Sequence, residues 1–286
     1  MADLDLSQAQ TQFVEFLQSR KRARATIVAY NKDIDQLMVF LRTRDRKTVA
    51  EVTHDDLTAF LEKLGKDGYT PKSVSRKINS IKTFYRFLKS KDAITDDPTT
   101  NISHPRYEVK PPRILTKVEY RALRDACRDD ARIAAIVELF LQTGVRIGEL
   151  ANLTLEDMKD HELHIAAQES HSERTVPLNK AAKTAIDRYL EIRPKTDNKT
   201  LFVTKTGRPL LIRNIRTAID RYFKAAGIEK AKVNDLRHTF IAHHLASGTP
   251  LTVISKLVGH KRLSTTEKYL EFIKGRVEEN VKLEEL

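Results

Sequence analysis

Four short segments carry the side chains best placed for chemistry. Thr143-Gly-Val-Arg-Ile-Gly-Glu-Leu150 sets Arg146 at a helix start just after a glycine turn. Free N–H groups and the helix dipole favour an anion there, a phosphate above all. Asn234-Asp-Leu-Arg-His238 opens another helix, with Arg237 in its first turn, and Leu257-Val-Gly-His260 closes one on a glycine. Tyr269 lies nine residues beyond His260, in Ser264-Thr-Thr-Glu-Lys-Tyr269. Each residue alone has a plainer reading. An arginine at a helix start is usually a surface charge or an ion-pair partner, and a tyrosine between Lys268 and Leu270 is usually half-buried core. His260 after Gly259 suits a helix C-cap. His238, His243 and His244 invite a metal, but they lack the His-Glu-x-x-His pattern and an obvious third ligand, so no metal site is expected.

The elements that must position these residues follow from apolar spacing. Ile27, Tyr30, Ile34, Leu37 and Leu41 step by three or four, as do Leu57, Phe60, Leu61 and Leu64 behind the capping box Thr53-His-Asp-Asp56. Gly65 and Gly68 end that helix, and Pro71 opens the next at a first-turn position. This next helix buries Val74, Ile78, Ile81, Tyr85 and Leu88 and carries Lys72, Arg76, Lys77, Lys82, Arg86 and Lys89 on its other faces. A basic face of this kind is either solvated or directed at a polyanion. With a shorter helix around Phe13 to Leu17, the N-terminal part reads as a bundle of four helices.

His104-Pro-Arg-Tyr-Glu-Val-Lys-Pro-Pro-Arg113 interrupts all periodicity, and its prolines make a stiff connector. The expected organisation is a helical domain over 1–104, a linker over 105–113 and a second domain over 114–286. Thr116-Lys-Val-Glu119 is a second capping box, from which helical periodicity runs to Gln142. Leu163–Ile165 and Thr175–Val176 read as short strands, and helices return at 180–192, 212–226, 235–246 and 251–257. The expected fold is therefore mainly α, with a small antiparallel β-sheet in the second domain.

Composition narrows the class. The 286 residues carry 51 Lys and Arg against 39 Asp and Glu, a net charge of +12, with a pI near 9.6. Such a surplus suggests a polyanionic partner, nucleic acid being the commonest. The single cysteine, Cys127, excludes an intrachain disulfide and a cysteine-based zinc site. The longest apolar run, Ile133 to Val137, is far below the ~20 residues of a membrane span, and the N-terminus has no signal-peptide pattern. A soluble, cytoplasmic protein without membrane contact is expected.

Taken together and in order, the four segments, the Glu173-Arg-Thr-Val-Pro-Leu178 stretch and the helical N-terminal module resemble the tyrosine recombinases, the phage-integrase and Xer-like site-specific DNA recombinases. The resemblance covers essentially the whole chain, and within the family the chain resembles the transposon-encoded cointegrate resolvases of TnpI type. It implies a core-binding domain followed by a catalytic domain, and a specific reaction. Tyr269 would attack a DNA phosphorus to leave a 3′-phosphotyrosyl link and a free 5′-hydroxyl. Arg146 and Arg237 would hold the non-bridging oxygens, and His260 would donate to the same phosphate or assist proton transfer. Because the link conserves the phosphoester, rejoining needs neither ATP nor metal, and no cofactor is expected. The implied partners are double-stranded DNA with inverted half-sites and a homotetramer on two DNA sites, exchanging strands through a Holliday junction.

Two slots depart from the family pattern. A lysine normally sits four residues before the Glu-Arg of the hairpin, as general acid for the leaving 5′-oxygen; here that slot is Glu169, within Gln168-Glu-Ser-His-Ser172. No other lysine lies in this hairpin, since Lys159 precedes the first expected strand. A carboxylate repels phosphate unless it is protonated. Three readings stand: cleavage is impaired, Glu169 acts as a neutral acid, or His171 or a residue from elsewhere takes over; impaired cleavage is the expectation. The second slot, three residues before Arg237, holds Asn234 where the family has His. Asparagine can donate to a phosphate oxygen but cannot shuttle a proton, so a positioning role is expected.

The resemblance further implies a clamp around duplex DNA, with Lys72, Arg76, Lys77, Lys82 and Arg86 in or beside the major groove. The amphipathic segment with Ile273, Val277 and Val281 would dock on a neighbouring protomer. One rival is a sequence-specific DNA-binding regulator without catalysis, because Thr252 to Leu270 passes for a helix-turn-helix. A type IB topoisomerase is another, using the same nucleophile without synapsis. Transposon cointegrate resolution, chromosome dimer resolution and phage integration are all consistent roles.

Overall fold

The computed structural model describes residues 4–168 and 171–271. The chain divides into two compact units, residues 1–109 and 110–286. Residues 105–113, within which the division falls, form neither helix nor strand.

The first unit holds α1 (Leu6–Ser19), α2 (Arg24–Arg42), α3 (His54–Lys66) and α4 (Pro71–Ser90). Their starts are written in the sequence. Asp5 caps α1, Thr53 and Asp56 form the capping box of α3, and Thr70 caps α4 with Pro71 at its first position. The apolar stripes meet in a core of Phe13, Leu37, Leu41, Phe60, Ile81, Phe84 and Leu88, where Phe13 and Phe84 pack edge to face at 5.2 Å. α1 is longer than its central apolar residues suggested, because Leu6 and Ala9 extend the buried stripe.

One polar knot interrupts that core. Asp33 on α2 is 1% exposed. It accepts from both Arg76 amino groups, from Lys77 Nζ at 2.9 Å and from Ser80 Oγ at 2.7 Å, all on α4. Lys77 also donates to Gln36 at 2.6 Å and lies over the Tyr69 ring. This corrects the basic-face expectation at Lys77: the ammonium is buried and consumed by Asp33, so it is a tie between α2 and α4. Arg76 shares the tie from an exposed position, Lys72 and Arg86 are exposed, and Lys82 is half-buried.

The second unit is built around α6 (Ala131–Thr143), which is apolar nearly all round and packs against α8 (Lys180–Ile192) and α10 (Val233–Ala246). The periodicity expected to run unbroken to Gln142 is split. α5 (Lys117–Ala126) stops at Cys127, and Asp130 caps α6 by accepting from the Ile133 N–H. α7 (Ile147–Asn152), a 3-10 turn and a three-stranded antiparallel sheet follow. The strands are β1 (Met158–Lys159), β2 (Glu162–Ile165) and β3 (Arg174–Pro177), with Leu163 opposite Val176 and Ile165 opposite Arg174. Lys159 therefore ends a first strand rather than preceding one, paired with Glu162. α9 (Ile212–Ala225), α11 (Leu251–Val258) and α12 (Ser264–Glu267) complete the unit. The segment with Ile273, Val277 and Val281 lies outside the described residues.

The helix-turn-helix reading of Thr252 to Leu270 does not survive. α12 is a single turn of 4 residues, and Thr266 and Tyr269 point into the protein rather than outward. No helix among the described residues is long and apolar enough to cross a membrane.

Breaking the Asp33 knot tests its weight. Asp33→Ala leaves Lys77 buried without its anion and should destabilise the first unit by about 3–5 kcal/mol, read from urea unfolding. Lys77→Met, which fills the same space without charge, should cost clearly less.

Candidate active site

The site is assembled on the C-terminal end of α11. That end presents unpaired carbonyls and the negative pole of the helix dipole, and three guanidinium groups converge on it. Arg174 Nε donates to Leu257 O at 2.7 Å, Arg237 Nη2 to Val258 O at 2.7 Å, and Arg146 Nη2 to Gly259 O at 2.8 Å. Arg146 Nη1 also reaches Val258 O at 3.1 Å, and Arg237 Nη1 reaches Gly144 O at 2.5 Å. Three successive carbonyls thus hold side chains from β3, α10 and the α6–α7 turn.

One carboxylate balances them. Glu149, 2% exposed, accepts from Arg174 Nη1 and Nη2 at 2.9 and 2.7 Å, and from Arg146 Nη1 at 2.9 Å and backbone N–H at 2.8 Å. Burial opposes the charge, but the bonds from Arg174 and Arg146 outweigh it and hold the carboxyl down at about 2. The anion position at the start of α7 is therefore already filled by a carboxylate of the same chain. Arg146 contributes its side chain, not a vacant helix terminus.

Two glycines make the approach possible. Gly144 ends α6 at φ +61, and a Cβ there would meet Phe240 at 2.5 Å. Gly259 ends α11 at φ +64, and a Cβ there would meet the Arg174 guanidinium at 2.9 Å. Both are in the left-handed region that favours glycine.

His260 follows directly. Its N–H donates back to Ser255 O at 3.0 Å, completing the helix end. Its Nδ1 lies 2.8 Å from the Oγ1 of buried Thr266. Burial, with Arg237 and Arg146 nearby, lowers its pKa from 6.5 to about 4. Tyr269 is 6% exposed, and its ring packs in a small cluster with Phe240, Ile254 and Val258. Burial raises the phenol pKa, opposed by the charges of Arg237 and Arg146. The core reading of Tyr269 holds for its ring, while the charges of Arg237 and Arg146 act on its hydroxyl.

Arg237 is 4% exposed; burial and the Arg146 charge lower its pKa to about 9. Asn234 is exposed on the first turn of α10, and its amide nitrogen lies 2.7 Å from His238 Nε2. His238 Nδ1 in turn lies 2.5 Å from the Tyr269 hydroxyl. Burial and then Arg237 lower the His238 pKa to about 4. His171, on the turn between β2 and β3, is half-buried within the fields of Arg146 and Glu149. Glu169 lies outside the described residues. Among the described residues no group of His, Cys, Asp or Glu is arranged to hold a metal ion.

The structure brings Arg146, Arg237, His260 and Tyr269 into one place, and Asn234 joins them through His238. Sequence reasoning gave no role to Glu149, Arg174, His238 or Thr266. Two of these had a readable signal: Glu149 is three residues past Arg146, the capping-box spacing, and His238 is one turn past Asn234.

The second unit is thus mostly helical and holds a buried tyrosine beside two arginines and a histidine. Residues 113–275 match the model of the phage integrase family, and residues 11–92 match that of the phage integrase N-terminal SAM-like domain. Tyrosine recombinase XerD of Caulobacter vibrioides is 33% identical over 266 residues, covering 87% of each chain. The crystal structure of XerA recombinase is 26% identical with a TM-score of 0.56, covering 98% of this chain and 100% of that one. A lambda integrase tetramer bound to a Holliday junction shares the fold, with a TM-score of 0.75 at 20% identity, covering 91% of this chain and 78% of that one. This chain belongs to the phage integrase family.

Two outcomes check the site's energetics. Gly259→Ala should lose about 1–2 kcal/mol from the backbone alone and displace Arg174. Gly65→Ala, where a Cβ meets nothing, should not destabilise; thermal unfolding compares them. Protonation gives the second. His238 and His260, near 4 in the fold against 6.5 in the open chain, refuse protons that the unfolded chain accepts. Stability should therefore fall as pH drops through that window. The urea midpoint of a His238→Gln, His260→Gln double variant should change less between pH 7 and pH 5 than the parent's does.

Proposed function

We propose that this chain is a site-specific DNA recombinase that cleaves and rejoins duplex DNA through Tyr269. The observation that carries this is the convergence of Arg146, Arg237 and His260, from three separate segments, around the end of α11 beside the Tyr269 hydroxyl. A scissile phosphodiester placed against the free N–H groups of Arg146 and Arg237 would have its non-bridging oxygens held as charge grows on them. His260 is suited to join them: with Nδ1 accepting from the Thr266 hydroxyl, the proton sits on Nε2 and can be donated to the phosphate. Tyr269 Oη then forms a bond to phosphorus as the bond to the 5′-oxygen breaks. The chain end stays as a 3′-phosphotyrosyl ester, and the 5′-oxygen leaves with a proton. Rejoining is the same displacement reversed, by a 5′-hydroxyl of the original or a partner strand.

Protonation of the leaving oxygen is the weak step here. Glu169 stands where the family pattern has lysine, and we read it as slowing cleavage rather than removing it, since the arginine and tyrosine arrangement is intact. Residues 1–104 act in this reading as the DNA-binding domain and 114–286 as the catalytic domain. Lys72, Arg76, Lys82 and Arg86 contact the duplex, and Lys77 drops out because Asp33 consumes it. The duplex carries inverted half-sites, and four protomers assemble on two sites; a lambda integrase tetramer bound to a Holliday junction supports the tetramer.

A covalent trap tests the proposal. Nicked duplexes tiled from DNA flanking the gene are incubated with protein, denatured in SDS, and the DNA-linked peptide mapped by mass. The expected result is an adduct on Tyr269, absent in Tyr269→Phe, reduced at least about 100-fold in Arg146→Ala, and increased in Glu169→Lys. Specific, salt-sensitive binding with no adduct from parent or Glu169→Lys would instead establish a regulator on a recombinase scaffold.

A further inference from the structure

Asn234 and His238 are one turn apart on α10 and so share a face. Together they make a chain of contacts that ends on the Tyr269 hydroxyl: the Asn234 amide lies 2.7 Å from His238 Nε2, and His238 Nδ1 lies 2.5 Å from Tyr269 Oη. The two rings are tilted with centroids 5.7 Å apart.

In the structure the Asn234 amide nitrogen faces His238 Nε2 and would donate to it; the demand of the Tyr269 hydroxyl argues for the opposite direction. Tyr269 is 6% exposed, and its hydroxyl hydrogen needs an acceptor. The arginines around it carry donors only. His238 Nδ1, at 2.5 Å, is the acceptor within reach. For Nδ1 to accept, the ring proton must sit on Nε2, and Nε2–H then needs an acceptor of its own. A half-turn of the Asn234 amide puts Oδ1 in the position facing Nε2, which supplies one. The order is then orienting group, imidazole and nucleophile, each bonded to the next, the same logic by which other enzymes activate a hydroxyl or thiol.

We infer that His238 is the base that takes the phenol proton as Tyr269 attacks, and that Asn234 is a positioning residue that holds the imidazole in the tautomer able to take it. The inference rests on the reading of Tyr269 as nucleophile. As the Oη–phosphorus bond forms and the bond to the 5′-oxygen breaks, the phenol proton moves to Nδ1 and the 5′-oxygen takes a proton from water. The imidazolium so formed keeps Nε2–H on Asn234 Oδ1, and it returns its proton to Tyr269 when a 5′-hydroxyl displaces the phenol. Burial and Arg237 keep the ring unprotonated at neutral pH, so it enters the reaction with a lone pair available. Asparagine in the slot where the family pattern has histidine is consistent with this division: the residue that cannot move a proton orients, and the ring one turn later moves it.

Two measurements on the full-length protein decide the matter. The first needs no DNA: long-range ¹H–¹⁵N NMR of ¹⁵N-histidine-labelled protein, with the His238 signals identified by their loss in His238→Gln. The expected result is the Nε2–H tautomer, an Nδ1 signal that moves in Tyr269→Phe, a mixed tautomer in Asn234→Ala and the parent tautomer in Asn234→Asp. The His260 signals check that each variant keeps the site. An Nδ1–H tautomer in the parent, or an Nδ1 signal indifferent to Tyr269→Phe, overturns the inference. The second is the rate of adduct formation on the nicked duplexes, expected to fall about 100-fold in His238→Gln, less in Asn234→Ala, and to recover in Asn234→Asp. Adduct formation at the parent's rate in His238→Gln removes the base role while leaving Tyr269 as nucleophile. No adduct from the parent or from Glu169→Lys removes the nucleophile reading and the base role together, and the tautomer result still shows whether the bonded chain exists.

Discussion

The active-site end of the second unit depends on a single buried carboxylate. Glu149 accepts four hydrogen bonds from Arg146 and Arg174, and both arginines pass on to the carbonyls that close α11. Remove that charge and the guanidinium groups would repel one another across the same small space, leaving only carbonyl dipoles to hold them. A buried ion-pair cluster of this kind is weak evidence for stability, because desolvation offsets most of the attraction. What it secures is placement. Gly259 and His260 are fixed by the arginines that grip the carbonyls before them, and Tyr269 follows from His260 through the one-turn α12.

Much of this was legible in the sequence because the elements announce their ends. The capping boxes at Thr53 and Thr116, Pro71 at a first-turn position, and the glycines at 144 and 259 each stand where the structure starts or stops a helix. The small sheet was read from its two inner strands, whose buried Leu163, Ile165 and Val176 alternate; β1, with only two residues, is too short to show a period. The break at Cys127 to Asp130 was missed because apolar residues on both sides keep helical spacing across it. Lys77 was misread for a related reason. Its place in the sequence makes it one of a basic row, and nothing local says that Asp33, 44 residues earlier, will consume it.

The site itself was only half readable. Arg146, Arg237, His260 and Tyr269 stand in recognisable segments, whereas the groups that orient them act through space. Arg174 was part of a quoted motif, yet its function as the bridge from β3 to both Glu149 and Leu257 O depends on a fold that brings a strand to the end of a helix. Thr266 is an ordinary residue in a polar run until burial makes its hydroxyl the partner of His260.

The electrostatic state of the site has a chemical consequence. Three guanidinium groups face one carboxylate, and burial, with the excess positive field, holds His238 and His260 near 4. The same field works against the burial that raises the Tyr269 phenol. A phosphodiester entering this space brings the missing negative charge. It would relieve the mutual repulsion of Arg146, Arg174 and Arg237, and it would raise the basicity of both imidazoles, because an anion beside a histidine favours the protonated form. Binding of DNA would therefore make His238 a stronger base than it is in the empty site, at the moment when the Tyr269 proton must leave. In the proposed reaction, the same charge imbalance would couple occupation of the site to activation of Tyr269.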